Sequence, residues 1–462
     1  MTDGTEDLDK AKRKQSPVAK AAKRAATGLY LTDDTATVFW HNETFWQELS
    51  EAALASLALG DGCSTRSQRT EFIDGLRAST YVGAHKWGRV DDHEIAFRNG
   101  VLDVRTGELR KHRTQDYLER VLPCDYDADA PALVWQKALS DWFGELAGDE
   151  GGIVRPLQEF FGYACMSHAK YKKALLVYGP SDSGKSLIGY VLALMVGRDQ
   201  TCSLPLEQMD DPQARAVIVG KALNLLTEIT TSALIADGGF KTLISTEEPV
   251  LINAKYKPPF SYYPTAKHLF ITNNLPGLSD RTEAVINRLA VIPMPRVFSK
   301  SEKDERLPEK LAEEIPGILA WAVQGAKRLV EQRGQFSEAQ QSAVVLEELR
   351  RKANAVIDFV ELRLTPSETA ATPISKLLPE FARWKGGKAV TVKALGGMLR
   401  SAGKTVKLVH RGKLVATCLV GYELNTEPVP DLFTIAPRDA LSDATKIEAT
   451  AAVDAAPSGD RP

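Results

Sequence analysis

One octapeptide constrains this chain more than any other feature. Gly179-Pro180-Ser181-Asp182-Ser183-Gly184-Lys185-Ser186 fits the pattern G-x-x-x-x-G-K-[ST]. The apolar run Ala174-Leu175-Leu176-Val177-Tyr178 precedes it and reads as a buried strand. Residues 187–195 follow and read as a helix. Strand, glycine loop and helix in that order suit one task. The glycines let backbone N–H groups wrap a phosphate chain, and the helix N-terminus adds a favourable dipole. Lys185 is spaced to reach the β- and γ-phosphates, and Ser186 to hold Mg²⁺. Gly179, Pro180, Ser181, Asp182, Ser183, Gly184, Lys185 and Ser186 are therefore the expected nucleotide-binding set, with ATP and Mg²⁺ as ligands. The same pattern sets the fold class as α/β, with a mostly parallel sheet covered on both faces.

At 462 residues the chain exceeds one ordinary domain, and its 44% hydrophobic content is ample for a buried core. No apolar stretch approaches the ~18 residues of a membrane span, and the N-terminus reads as free of a signal peptide. No membrane partner is expected. Cys63, Cys124, Cys165, Cys202 and Cys418 are scattered without a C-x-x-C pair. That pattern argues against a zinc site or disulfide framework and favours a reducing cytoplasm. With a formal net charge of −2, any nucleic-acid contact must come from local basic patches.

Composition divides the chain into five segments. Residues 1–27 read as a disordered basic tail, or alternatively as an arm touching DNA phosphates. Residues 28–155 read as a mixed α/β domain, with an Asn-Gly hairpin over 94–104 and an amphipathic helix over 131–143. Residues 156–336 read as the parallel-sheet core with following helices. Residues 337–424 read as helices followed by a basic-tipped hairpin, which suggests a winged helix. There Lys393, Arg411 and Lys413 are the leading DNA-phosphate contacts, beside Lys385, Lys388, Arg400 and Lys404. Ordinary surface lysines on a packing module are the plainer alternative. Residues 425–462 read as a disordered tail.

Hydrolysis needs more than a cradle. The strand Ala222-Leu223-Asn224-Leu225-Leu226-Thr227-Glu228 ends in an acid. Strand C-termini of a parallel sheet face the ligand crevice, so Glu228 would polarise water or hold Mg²⁺ through a bridging water. The strand His268-Leu269-Phe270-Ile271-Thr272 ends at Asn273, which would bond the γ-phosphate or the lytic water. Asn273 and Asn274 fit the start of a turn equally well. Arg288 precedes the run Leu289-Ala290-Val291-Ile292-Pro293. It would reach a neighbouring subunit's nucleotide, or else form a surface pair with Glu283. Lys185, Glu228, Asn273 and Arg288 are the expected catalytic set, and Ser186 and Glu228 the expected metal ligands. Residues 249–260 suit a hairpin whose Lys255, Lys257 and aromatics would grip a nucleic-acid backbone, although charged tips are more often simply solvated.

The order of these elements resembles superfamily 3 helicases, the compact ring-forming branch of the AAA+ ATPases. More narrowly, it resembles the helicase part of phage, plasmid and poxvirus primase-helicases. The likeness extends over residues 90–424 and includes Ile315-Pro316-Gly317-Ile318-Leu319-Ala320-Trp321-Ala322 and Ala96-Phe97-Arg98-Asn99-Gly100-Val101-Leu102-Asp103. It implies a P-loop AAA+ core, a preceding primase-helicase-type domain and a following winged-helix-like domain. It also implies ATP-driven translocation on single-stranded or forked DNA as a hexameric ring, in the host cytoplasm if viral. Glu228 would be the Walker B acid, Asn273 the sensor, Arg288 the finger acting across subunits, and Lys255 or Lys257 the pore residue. Thr227 departs from the pattern, since an acid often precedes the Glu. Fewer than about 100 residues precede the recognisable region, so helicase activity without primase activity is expected, with a separate primase as partner. The competing expectations are a DNA-stimulated ATPase that remodels DNA without unwinding it, and an origin-marking protein whose ATPase controls assembly.

Overall fold

The computed structural model describes residues 15–425, apart from 34, 83–89, 149–151, 230–233, 236, 256–257, 279–282, 354–355, 385–389 and 412–413. The chain enters through helix α1 (Pro17–Ala25), capped by Ser16, whose Oγ accepts from Ala19 N at 3.2 Å. A three-stranded antiparallel sheet, β1 (Tyr30–Thr32), β2 (Val38–His41) and β3 (Trp46–Glu48), comes next. Helices α2 (Glu51–Gly60) and α3 (Arg66–Thr80) follow it. The expected tail thus ends earlier than residue 27. Ala21 is buried, and a Cβ added at Gly75 of α3 would lie 3.3 Å from Ala21 Cβ, so small residues let the helices touch. Arg24 pairs with Asp61 at 2.7 Å. An alanine-rich basic segment has the composition of a tail; its packing partner lies 50 residues on. Residues 1–14 lie outside the described residues.

Strands β4 (Glu94–Phe97), β5 (Gly100–Asp103) and β6 (Leu109–Arg110) form the expected Asn-Gly hairpin plus one strand. Arg110 fixes this sheet to the chain beyond it, bonding Glu94 at 3.0 Å and Asp116 at 2.8 Å. Helices α4 (Leu133–Phe143) and α5 (Val154–Cys165) then carry Trp135, Trp142, Phe160 and Phe161 into the same buried cluster as the sheet described next. The expected boundary at 155 therefore falls inside one packed core.

The central sheet comprises β7 (Ala174–Tyr178), β8 (Thr201–Cys202), β9 (Leu223–Leu226), β13 (Lys267–Thr272) and β15 (Leu289–Pro293). All pair in parallel, in the order β15-β7-β13-β9-β8. Helix α6 (Lys185–Val196) leaves β7, and β10 (Leu234–Ile235) and α7 (Asp237–Ser245) follow β9. A small hairpin, β11 (Val250–Ile252) with β12 (Phe260–Tyr262), precedes β13; β14 (Gly277–Leu278) and α8 (Glu283–Ile286) lead to β15. The apolar strand runs explain the burial: β7 and β13 are enclosed on both faces, as parallel strands between helices must be.

Helices α9 (Leu307–Glu313) and α10 (Ile315–Glu331) cover the face shared with α5. There the fully buried Glu159 of α5 accepts from Arg328 Nε of α10 at 2.7 Å and from Ser337 N and Oγ at 2.7 and 2.6 Å. Helices α11 (Gln340–Ala353) and α12 (Val356–Arg363) follow, with 354–355 between them outside the described residues. Val345 and Leu349 of α11 join the core of the central sheet, so the third unit starts near 356 and not at 337. That unit continues as β16 (Leu364–Pro373), α13 (Ile374–Trp384), α14 (Val392–Ser401), β17 (Val406–Arg411) and β18 (Leu414–Leu424). Its antiparallel sheet runs β16-β18-β17 over its own core of Phe359, Phe381, Leu395, Leu399 and Leu419. Thr391 caps α14, as its sequence indicates.

Candidate functional site

The octapeptide loops from the buried end of β7 into α6. Gly184 has φ +91°, and a Cβ there would lie 2.5 Å from Trp142 Nε1 of α4, so both backbone conformation and space exclude a side chain. Asp182 also adopts the left-handed region, at φ +62°. Lys185 is 7% exposed. Its Nζ bonds Pro180 O and, at 3.2 Å, Ser183 Oγ, which itself donates to Pro180 O at 2.9 Å. Burial pushes the Lys185 amine below its ordinary pKa, and Asp182 partly opposes this. A nearly buried ammonium held by neutral oxygens at the mouth of a glycine loop is chemically suited to an anion, and the fit to a phosphate chain is good.

Sheet register decides what stands beside the loop. Tyr178, the last residue of β7, pairs with Thr272, the last of β13. Asn273 therefore emerges alongside Gly179, and its Nδ2 lies 3.4 Å from Ser181 Oγ of the loop. Asn274 completes the turn by donating its N–H to Thr272 Oγ1 at 3.1 Å. Asn274 thus makes the turn that the sequence offers for this pair, while Asn273 faces the loop. In β9, Leu226 pairs with Phe270, so Thr227 and Glu228 leave the sheet at the same edge, both exposed.

A cleft of about 800 Å³ opens beside the second half of the loop; Asn273 and Glu228 are not among the residues that line it. One wall is α4, with Leu133, Val134, Ala138 and Trp142; the other is residues 298–310. The floor is 182–187. Lys303 reaches from the second wall to Asp182, with Nζ 2.7 Å from Oδ1, and holds that carboxyl below its ordinary range. Neither Trp142 nor Lys303 was picked out from the sequence. Nothing local marks them, since they lie 43 residues before and 118 residues after Lys185.

Arg288 stands at the opposite edge. Its carbonyl accepts from Ala174 N, at the start of β7, at 2.8 Å. A full strand, ~3.3 Å per residue, separates it from its own loop. Its Nη1 donates to Ala284 O at 2.7 Å, and its buried Nε makes no hydrogen bond among the described residues. The side chain of Glu283 lies outside the described residues. The hairpin β11–β12 exists, with Lys255 exposed beyond β11; Lys257 lies outside the described residues. On α14, Lys393 and Arg400 are exposed. Arg411 closes β17, with its side chain not described, and Lys385, Lys388 and Lys413 lie outside the described residues. None of the described helices is long and apolar enough to cross a membrane.

A glycine loop between a strand of a five-stranded parallel sheet and a helix, facing a strand-end asparagine, defines an α/β protein. A D5 N terminal like family model matches residues 23–144, and a family of unknown function, DUF5906, matches 177–288. The chain is similar to putative helicase 184R of Invertebrate iridescent virus 6, 24% identical over 244 residues, covering 48% of this chain and 24% of that protein. It is also similar to putative helicase 121R of Invertebrate iridescent virus 3, 26% identical over 225 residues, covering 45% and 23%. The chain thus spans about a quarter of the length of these relatives. The apo structure of the NrS-1 C terminal region shares the fold, with TM-score 0.53 at 12% identity, over 88% of this chain and 99% of that one. These matches support a likeness to the phage and viral D5-type helicases.

Proposed function

We propose that this protein is an ATP-dependent DNA helicase that serves replication of a phage, plasmid or other mobile element and works as a ring of identical subunits. The observation that carries the reading is the split of the presumed machinery between opposite edges of one sheet. Lys185, Asn273 and Glu228 lie at the C-terminal ends of the strands, while Arg288 lies a strand's length away. Only a second copy can bring such an arginine to a nucleotide. The sheet order, with the loop strand between the last two strands, supports an AAA+ core.

In this reading the N–H groups of 179–186 and Lys185 hold the phosphates, and Asn273 orients the γ-phosphate or the attacking water. Glu228 takes the proton from that water. Ser186 and Glu228 are the residues that would hold Mg²⁺, which supplies charge neutralisation between β- and γ-phosphates when bound. Arg288 of one subunit would steady the charge that develops in the next subunit's site. Lys255, with Lys257, would grip the strand in the pore. The α12–β16–α13–α14–β17–β18 order and the β16-β18-β17 sheet support a winged helix, with Lys393 on the DNA-facing helix and Arg411 and Lys413 on the wing.

The test is unwinding of a forked duplex with ATP by the full chain. Strand separation is expected for the wild type and not for Lys185→Ala. The double variant Lys255→Ala, Lys257→Ala is expected to lose unwinding and keep basal ATPase. ATP hydrolysis stimulated by DNA without any strand separation would favour the remodelling ATPase instead.

A further inference from the structure

Residues 296–310 leave β15 and fold back over the phosphate loop as a braced turn. Phe298 N donates to Asp182 O at 3.0 Å, which ties the turn to the loop backbone. Arg296 donates to Asp141 O of α4 at 2.6 Å and to Glu302 at 3.1 Å, and its guanidinium lies over the Phe298 ring, 4.4 Å from the centroid. Glu302 accepts from Ser299 N at 2.8 Å and from Ser299 Oγ at 2.7 Å. This bracing delivers the next residue, Lys303, to Asp182.

The pairing has a physical reason. Asp182 is the one acid in the octapeptide. A carboxylate on a phosphate cradle repels the ligand unless a cation neutralises it. Lys303 is that cation. Its side chain is 40% exposed and that of Asp182 is 59% exposed, so the pair is loose enough to part. A lysine is a compact charge on a flexible stem and can exchange one anion for another without moving its backbone.

We propose that Lys303 is a nucleotide-contacting residue supplied from within the same chain, which leaves Asp182 to bind the phosphate chain of a nucleoside triphosphate in the cleft. This rests on the nucleotide reading of the cleft.

Calorimetric titration of the full chain with a non-hydrolysable ATP analogue, ADP and adenosine tests it. Lys303→Ala is expected to weaken the triphosphate analogue by roughly tenfold, ADP by less, and adenosine not at all, as loss of a charge-assisted phosphate contact requires. Lys303→Arg is expected to restore most of the triphosphate affinity. Asp182→Asn is expected to bind the analogue as tightly as wild type or more tightly. Melting of the unliganded variants should match wild type. Wild-type triphosphate affinity in Lys303→Ala would overturn the proposal. So would an equal loss for adenosine, or a loss in Asp182→Asn as large as in Lys303→Ala, since either shows that the pair only shapes the loop. Failure of the underlying reading looks different: wild type then binds no nucleotide, or Lys185→Ala binds as well as wild type.

Discussion

The two edges of the central sheet each bury a lysine, and the contrast between them is instructive. Lys185 and Lys267 are 7% and 1% exposed, and burial lowers the pKa of both amines. Each gives a hydrogen bond to a backbone carbonyl, of Pro180 and of Met166 respectively. Lys185 opens on an 800 Å³ cleft. Lys267 is sealed beneath the Tyr163 ring, 5.3 Å from its centroid. Burial of a cation is therefore no mark of function by itself. Access for an incoming anion separates the two, and that access comes from the glycine loop at one edge and is closed by α5 at the other.

The largest effect should separate them outright. Lys185→Ala is expected to drop ATP turnover to background in a phosphate-release assay, and turnover near wild type would break the comparison. Next in size is Arg288→Ala, expected to keep nucleotide binding while lowering turnover about 10³-fold. Mixing it with Lys185→Ala subunits should restore part of the rate. No recovery in the mixture would remove Arg288 from any intersubunit role.

A third prediction concerns acid stability near the sealed edge. His268, the neighbour of Lys267, is buried; its Nδ1 faces Asn224 Nδ2 at 3.2 Å, and the backbone of Leu243 partly opposes the effect of burial on the ring. Burial lowers its pKa from 6.5 to about 4. Between those values the unfolded chain holds the extra proton, so the stability due to His268 is full above about 6.5 and lost as pH falls towards 4. The loss is of order 3 kcal/mol. His268→Gln should flatten that part of a chemical-denaturation profile, and an unchanged slope would show that other groups set it. The smallest effect on activity is expected at Lys267. Lys267→Met, similar in shape and uncharged, should leave turnover within about twofold. In the wild type the lowered amine makes stability rise with pH up to the ordinary lysine value, and the variant should lack that rise. A collapse of turnover in Lys267→Met would make the sealed edge functional after all.

The strands and turns with strong local signals were legible. Ala174–Tyr178, the Asn-Gly hairpin and the last hairpin stand where their residue patterns put them. Errors came where a partner far along the chain decides. Pro17–Ala25 is helical because Ala21 meets Gly75. The unit expected to begin at 337 begins later because Val345 and Leu349 belong to the central core while Phe359 belongs to the next unit. Around the candidate site, the loop, Asn273 and Glu228 were readable because each is tied to a strand end. Trp142 and Lys303 were not, because ordinary tryptophan and lysine acquire meaning only from what they face.

The order of residues by itself determined the phosphate-loop unit, the parallel sheet and the class of chemistry they suit. Glycine conformation and apolar runs act over a few residues and need no distant contact. Tertiary structure alone decided which asparagine faces the loop, what walls the cleft, that Lys303 neutralises Asp182, and that Arg288 stands at the far edge. Those are matters of strand order and register, which join residues that the chain keeps tens to more than a hundred positions apart.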